Sequence, residues 1–250
     1  MNEKVAIVTG GAKGIGRAIA AALAKDSYNV VIADVDQRSA EETAKEVIQS
    51  GGIALAIKTD VSNRIEVQEM VKMVISRFSR IDILVNDAGG ALFRRRPIEE
   101  VAEEEWDRVI DVNLKGTFLC CQAVVTPMKE RRRGRIINIS SIAGRTQSQV
   151  ASIDYSSAKA GILGLTRQLA KELAPYGIIV NAVCPGVITS ERVKAKIESM
   201  EDKDEIMGAI PLGRTGTVEE IADLVCWLAS SNCSFMTGAT IDVNGGRFMG

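Results

Sequence analysis

The sequence contains no histidine. That excludes catalytic triads built on imidazole and every histidine-ligated metal site. Any proton chemistry must be carried by tyrosine, lysine, aspartate, glutamate or cysteine. A surplus of charge of either sign is also missing. There are 31 Lys and Arg against 32 Asp and Glu, a formal net charge of −1. A dedicated nucleic-acid binder carries a basic excess, so no nucleic-acid partner is expected. The five cysteines, at 120, 121, 184, 226 and 233, form no CxxC pair. A scattered odd set reads as buried thiols in a reducing compartment, and no metal is expected. No apolar run reaches the ~18 residues of a membrane span, and MNEKVAIVTG has no signal-peptide pattern. The expectation is a soluble, cytoplasmic protein without a membrane partner.

What is present is an ordinary globular composition over 250 residues, 46% apolar and 25% charged. Short β-branched runs alternate with helical patterns. Strands are predicted at 4–10, 29–34, 53–60, 82–87, 135–140, 178–184 and 239–244. Helices are predicted at about 15–25, 39–50, 63–79, 103–130 with a weak point near Pro127, 154–174 and 217–230. The strands are continuously apolar rather than alternating, the pattern of a parallel sheet covered on both faces. A doubly wound Rossmann-like α/β fold closes such a chain, as a single domain over 1–250 with its least regular stretch at about 187–215.

Two motifs carry chemistry. TGGAKGIG, Thr9 to Gly16, lies between the first strand and the first helix. Backbone N–H groups at a helix start attract phosphate, and glycine allows close approach. Asp34 ends the second strand 18 residues after Gly16, near the ~20-residue offset at which an acid binds the ribose diol of NAD. A carboxylate there repels the 2′-phosphate of NADP, whereas Lys13 pulls weakly the other way. NAD is therefore the expected cofactor, with NADP as the alternative. Further on, Tyr155 and Lys159 stand four apart on one predicted helix face. A lysine charge near a phenol favours phenolate, which suits proton exchange with a carbonyl or alcohol oxygen.

Taken together with Asp60-Val61, NxAG at Asn86–Gly89, Asn113, Ser141 and Pro185-Gly186, these motifs occur in one order along nearly the whole chain. In that order the chain resembles the short-chain dehydrogenase/reductase family, and most of all its 3-oxoacyl-(acyl-carrier-protein) reductase-like branch, through EEWDRVIDVNLKGTF and GRIINISSIAG. The resemblance implies a seven-stranded parallel sheet and hydride transfer between a nicotinamide and a carbonyl or secondary alcohol. It implies Tyr155 as general acid or base, with Lys159 on the nicotinamide ribose. Ser141 would bond the reacting oxygen, and Asn113 would anchor a water behind the lysine. For the cofactor it implies Gly10, Lys13, Gly14, Ile15 and Gly16 at the phosphates, and Asp34 at the ribose. Asp60, Val61 and Val112 would lie by the adenine, and Asn86, Ala88 and Gly89 would form the floor. Pro185, Gly186 and Ile188 would meet the nicotinamide, and Ser190 the phosphates.

The chain departs from the family pattern twice. Asp87 replaces the usual second asparagine of NNAG, and Ser141 to Tyr155 is 14 residues rather than the commonest 13. The substrate is not named by the sequence, and NAD-linked sugar, polyol or secondary-alcohol oxidation stands as the alternative. A nucleotide-sensing scaffold, the non-enzyme alternative, predicts loss of Tyr155, Lys159 or Ser141, and none is lost. Arg94–Arg96 and Arg131–Arg133 read as solvated turns. Residues 116–128 and 160–170 are apolar over much of their surface, and with the C-terminal tail they imply a homotetramer.

Overall fold

The structure is a computed structural model and describes residues 4–148, 150–189 and 207–250. Seven parallel strands form the central sheet: β1 (Val5–Thr9), β2 (Asn29–Asp34), β3 (Ala54–Lys58), β4 (Ile83–Asn86), β5 (Gly134–Ile139), β6 (Ile178–Pro185) and β9 (Thr240–Val243). Their order is β3-β2-β1-β4-β5-β6-β9. A separate two-residue pair, β7 (Ile188–Thr189) with β8 (Gly216–Thr217), follows β6 in the chain. The winding runs outward from β1 to β3, then returns to the other side of β1 at β4. In such a sheet a crevice opens beyond the carboxyl ends of β1 and β4.

Both faces of the sheet are buried because alternate residues of each strand serve opposite layers. Ala6, Val8, Val30 and Ile32 pack beneath α1 (Gly14–Lys25), α2 (Gln37–Gln49) and α7 (Val218–Ala229). Val5, Ile7, Val31 and Ala33 pack on the other side with α3 (Arg64–Phe78), α5 (Gly116–Glu130) and α6 (Ile153–Leu173). At the foot of the sheet Asp82 accepts from the Val5 amide at 2.9 Å while Arg80 holds the same carboxylate. This tie joins segments 77 residues apart.

Helix starts follow local chemistry. Asp36 caps α2 through the Ser39 amide, Asn63 caps α3, and Thr217 with Glu220 forms a capping box on α7. The predicted stretch 103–130 is not broken at Pro127, which sits in the last turn of α5. It is interrupted instead by a π turn, Asp111–Lys115, between α4 (Glu103–Ile110) and α5. There the side chain of Asn113 donates to Val109 O at 3.0 Å and Thr117 Oγ1 donates to Asn113 O at 2.7 Å. Side chains thus satisfy carbonyls that the widened turn releases.

The run Glu103–Glu130 is long and apolar enough to cross a membrane by length and composition. Here it covers the sheet, with Leu119, Cys120, Cys121 and Val124 in the core. Its outward residues include Phe118, 40% exposed. All five cysteines are free thiols.

Candidate active site

A cleft of about 1280 Å³ opens at the switch point. One wall is the glycine loop. Gly10 has φ +68°, and a Cβ there would lie 2.8 Å from the Ala88 backbone. A Cβ on Gly16 would overlap the Gly10 carbonyl oxygen, so the first turn of α1 can lie against the loop only without a side chain. Gly10, Lys13 and Gly14 line the cleft, while Ile15, in the first turn of α1, packs against the core. The α1 amides point to a space that could hold a diphosphate.

Asp34 closes the adjoining wall. Its two oxygens accept from Ala12 N at 3.2 Å and Asp36 N at 3.0 Å, so backbone amides fix the carboxylate across the loop. Lys13, the one basic residue in the glycine motif, is paired with Asp36 at 2.7 Å. That bond, together with the Ser39 hydroxyl and amide, holds the Asp36 carboxyl well below the usual carboxylate range. Asp60, Val61 and Val112 line the far end of the cleft. Asp60 does not cap α3. Burial works to raise its pKa, but the Ser62 hydroxyl and amide and the Arg108 charge outweigh it and leave the pKa lowered. Arg108, 4.0 Å from Asp60 and in the cleft wall, was not singled out in the sequence, because only the fold brings α4 to this loop.

The floor is the segment after β4. Asn86 is buried and donates to Asn138 Oδ1 at 2.8 Å, and Asn138 donates to Thr166 at 2.9 Å. It therefore stitches β4, β5 and α6 together beneath the cleft, with one oxygen lacking a partner within the protein. Ala88 and Gly89 line the cleft, as does Asp87. Thr9 Oγ1 accepts from the Asp87 and Ala88 amides at 3.2 Å each, a support role unread in the sequence. The Asn113 side chain also reaches this segment, bonding Gly90 N at 2.9 Å and Gly90 O at 3.2 Å.

The tyrosine–lysine pair stands at the start of α6, with Lys159 Nζ 5.5 Å from the Tyr155 ring centroid. Lys159 is buried and donates to Ile139 O at 2.9 Å, at the end of β5. Burial pulls its pKa down to about 8 against the opposing charge of Asp87. Ser140 Oγ donates to Lys159 O at 2.8 Å, so the serine before Ser141 holds the lysine backbone. Ser141 opens a 3₁₀ turn that packs on α6, and its Oγ accepts from Ala143 N at 3.1 Å. Arg145, inside the longer Ser141–Tyr155 interval, is bound to Asp242 of β9 at 3.0 Å. Pro185 ends β6, Gly186 donates to Val243 O at 2.8 Å, and Ile188 buries its side chain beside α7. Thr189 lines the cleft; Ser190 lies outside the described residues.

A doubly wound sheet with a glycine cradle at its switch point and a tyrosine–lysine pair on the helix after β5 defines a class of nicotinamide-dependent oxidoreductases. A family model described as enoyl-(acyl carrier protein) reductase matches residues 10–247. The chain belongs to the short-chain dehydrogenase/reductase family, NAD(P)-dependent oxidoreductases of carbonyl and CH–OH groups. Among individual relatives, it is 42% identical over 248 residues to the 3-oxoacyl-(acyl-carrier-protein) reductase of Staphylococcus epidermidis, covering 99% of this chain and 100% of that protein. It is 40% identical to the enzyme of that name from Synechocystis sp., covering 100% of this chain and 98% of that protein. The crystal structure of gox2181 matches with a TM-score of 0.96 at 36% identity, covering 99% of this chain and 96% of that one.

Proposed function

We propose that this chain, as a single domain, reduces 3-oxoacyl thioesters to 3-hydroxyacyl thioesters. The observation that carries the reading is the 42% identity to a named 3-oxoacyl-(acyl-carrier-protein) reductase over 99% of the chain. The bound nicotinamide supplies the hydride. Tyr155 gives its phenolic proton to the carbonyl oxygen. Lys159, anchored on Ile139 O, steadies the negative charge this leaves on the phenol. Ser141 Oγ bonds the same substrate oxygen and favours its developing charge. Asn113 holds the Gly90 backbone and the π turn; in this reading it also anchors a water that returns protons to Lys159.

For the cofactor, the α1 start with Gly10, Lys13, Gly14, Ile15 and Gly16 receives the diphosphate. Asp60, Val61 and Val112 bracket the adenine. Asn86, Ala88, Gly89, Pro185, Gly186, Ile188 and Ser190 complete the site. The reading favours NAD over NADP. Asp34, held by backbone amides, would meet the ribose in this reading, and Lys13, a cation that could answer a 2′-phosphate, is engaged by Asp36.

That preference supports a second reading, NAD-linked oxidation of a polyol or secondary alcohol. Nicotinamide absorbance decides between them. The first reading expects the highest kcat/KM with acetoacetyl thioesters and NADH. A preference for polyols or simple alcohols would replace it with the second.

The proposal includes a homotetramer in the cytoplasm. Phe118, Trp106 and Ile153 are large apolar side chains left exposed on α4, α5 and α6, and buried free thiols suit a reducing compartment. Leu119 is in the core, so a charge at Phe118 tests the assembly without opening the fold. Phe118→Glu should lower the mass seen by light scattering, and a monomeric parent protein would refute the assembly.

A further inference from the structure

Asp87 is the residue at which this chain leaves the NNAG pattern, and the structure sets it in a demanding place. It follows β4, is half-buried and lines the cleft. Its carboxylate lies on the first turn of α1. A Cβ on Gly16 would come within 2.9 Å of Asp87 Oδ2, so the carboxylate lies against the backbone of that turn. The helix start that would receive a diphosphate therefore already faces a carboxylate of the protein's own.

We propose that Asp87 couples dinucleotide binding to proton uptake from solvent, any ionised carboxylate becoming a neutral carboxyl as the diphosphate reaches the α1 N-terminus. The inference rests on the dinucleotide reading of the cleft and goes beyond it. Two like charges cannot share the same few amides in a cleft that binding closes to water, and the group able to discharge is the carboxylate. The diphosphate has no proton that titrates near neutrality.

The charged groups bearing on Asp87 are few. Lys159 on α6 favours its ionised form, whereas Asp34 at the end of β2 disfavours it. Tyr155 stands beside Lys159, and Lys13 is engaged by Asp36. From α1 the Gly16 backbone lies against it, and Thr9 Oγ1 of β1 accepts from its amide. Burial already pushes the carboxyl up to about 7, against the pull of Lys159 and the Gly16 amide. A further negative group beside it moves the balance towards the neutral acid. At neutral pH the free protein is thus poised to take up a proton, which an asparagine at the same position could not do.

The test uses the whole chain and ADP-ribose, which carries the diphosphate but no reactive ring. Calorimetric titration at pH 7 in buffers of different ionisation enthalpy counts protons. The parent protein should take up roughly half a proton per ligand, since a group near its midpoint is about half protonated beforehand. Infrared difference spectra identify the acceptor: a protonated-carboxyl carbonyl band should grow on binding and be missing in Asp87→Asn. This band separates Asp87 from Lys159, whose ammonium gives no such signal. Should the variant fold poorly, absence of the band in the parent still overturns the inference. Failure to bind ADP-ribose would sink the dinucleotide reading and this inference with it. Binding with no protonated-carboxyl band, or with the same band in Asp87→Asn, would overturn this inference alone.

Discussion

Two ends of the site, the cleft wall around Asp34 and the surroundings of Asp87 and Lys159, handle charge in opposite ways. At the end assigned to the adenosine, hydrogen bonds hold each carboxylate in place. Asp34 is held by two backbone amides, Asp36 by Lys13 and Ser39, and Asp60 by Ser62. At Asp87, in the cleft wall, and at the buried Lys159, burial works against charge. Asp87 is pushed up to about 7 and Lys159 down to about 8. The first arrangement suits recognition, where a fixed charge must not change. The second suits proton traffic, where groups near neutrality can exchange protons with little driving force.

The largest effect that sharpens this contrast is expected at Tyr155. Tyr155→Phe removes the transferable proton and keeps most of the ring. Turnover should fall on the order of 10²–10⁴-fold, the range for general acid–base catalysis, with cofactor affinity by fluorescence titration nearly unchanged. A variant turning over at the parent rate would remove Tyr155 from the mechanism.

An intermediate effect is expected at the adenosine end. Asp34→Ser deletes a fixed negative charge beside the proposed ribose. The ratio of kcat/KM for NAD to that for NADP should drop about ten- to hundredfold, the scale of one partly screened charge contact. A parent enzyme that already prefers NADP would show that the carboxylate does not govern the choice.

The smallest effect is in stability, and its sign differs between the two ends. Asp87 has a raised folded pKa, so its contribution is fully present below the unfolded value. It is lost as pH rises through about 7. Relative to the parent, the melting temperature of Asp87→Asn should therefore climb from pH 5 to 8, by about 3–8 °C. Loss of the Asp87 charge also lowers the Lys159 pKa further, which adds in the same direction over this window. Asp60 has a lowered pKa, so its contribution is present above the unfolded value and lost as pH falls through the folded one. The deficit of Asp60→Asn should shrink only under acid conditions. Parallel pH curves for the two variants would erase the contrast.

The same contrast explains what could be read from the sequence. Every strand of the main sheet was visible, because a strand buried on both faces is written as a continuous apolar run, as in NVVIAD. The glycine loop was visible because steric demands leave no alternative at Gly10 and Gly16. The 103–130 helix reads as weakest near Pro127, where local propensity points. The break actually lies where Asn113 and Thr117 substitute for backbone partners, and no propensity scale records that. The setting of Asp87 and the anchoring of Arg145 by Asp242 are long-range. They depend on segments 71 and 97 residues away, brought near only by the finished sheet. The segment about 187–215 is irregular in sequence, and only its flanks, including the β7–β8 pair, fall within the described residues.

The tie between Val5 and Asp82 has a consequence for how the molecule comes into being. β1 is an interior strand paired on both edges, yet one of its two neighbours, β4, is made only some 77 residues later. At ~5–20 residues per second, synthesis leaves VAIVT without that neighbour for roughly 4–15 s. Closure across so long an interval is slow even in a complete chain, because loop entropy is lost before any pairing is gained. The strand that organises the mature cleft is therefore the one most exposed to wrong partners during birth. Refolding yield should depend on protein concentration more than the stability of the finished sheet would suggest.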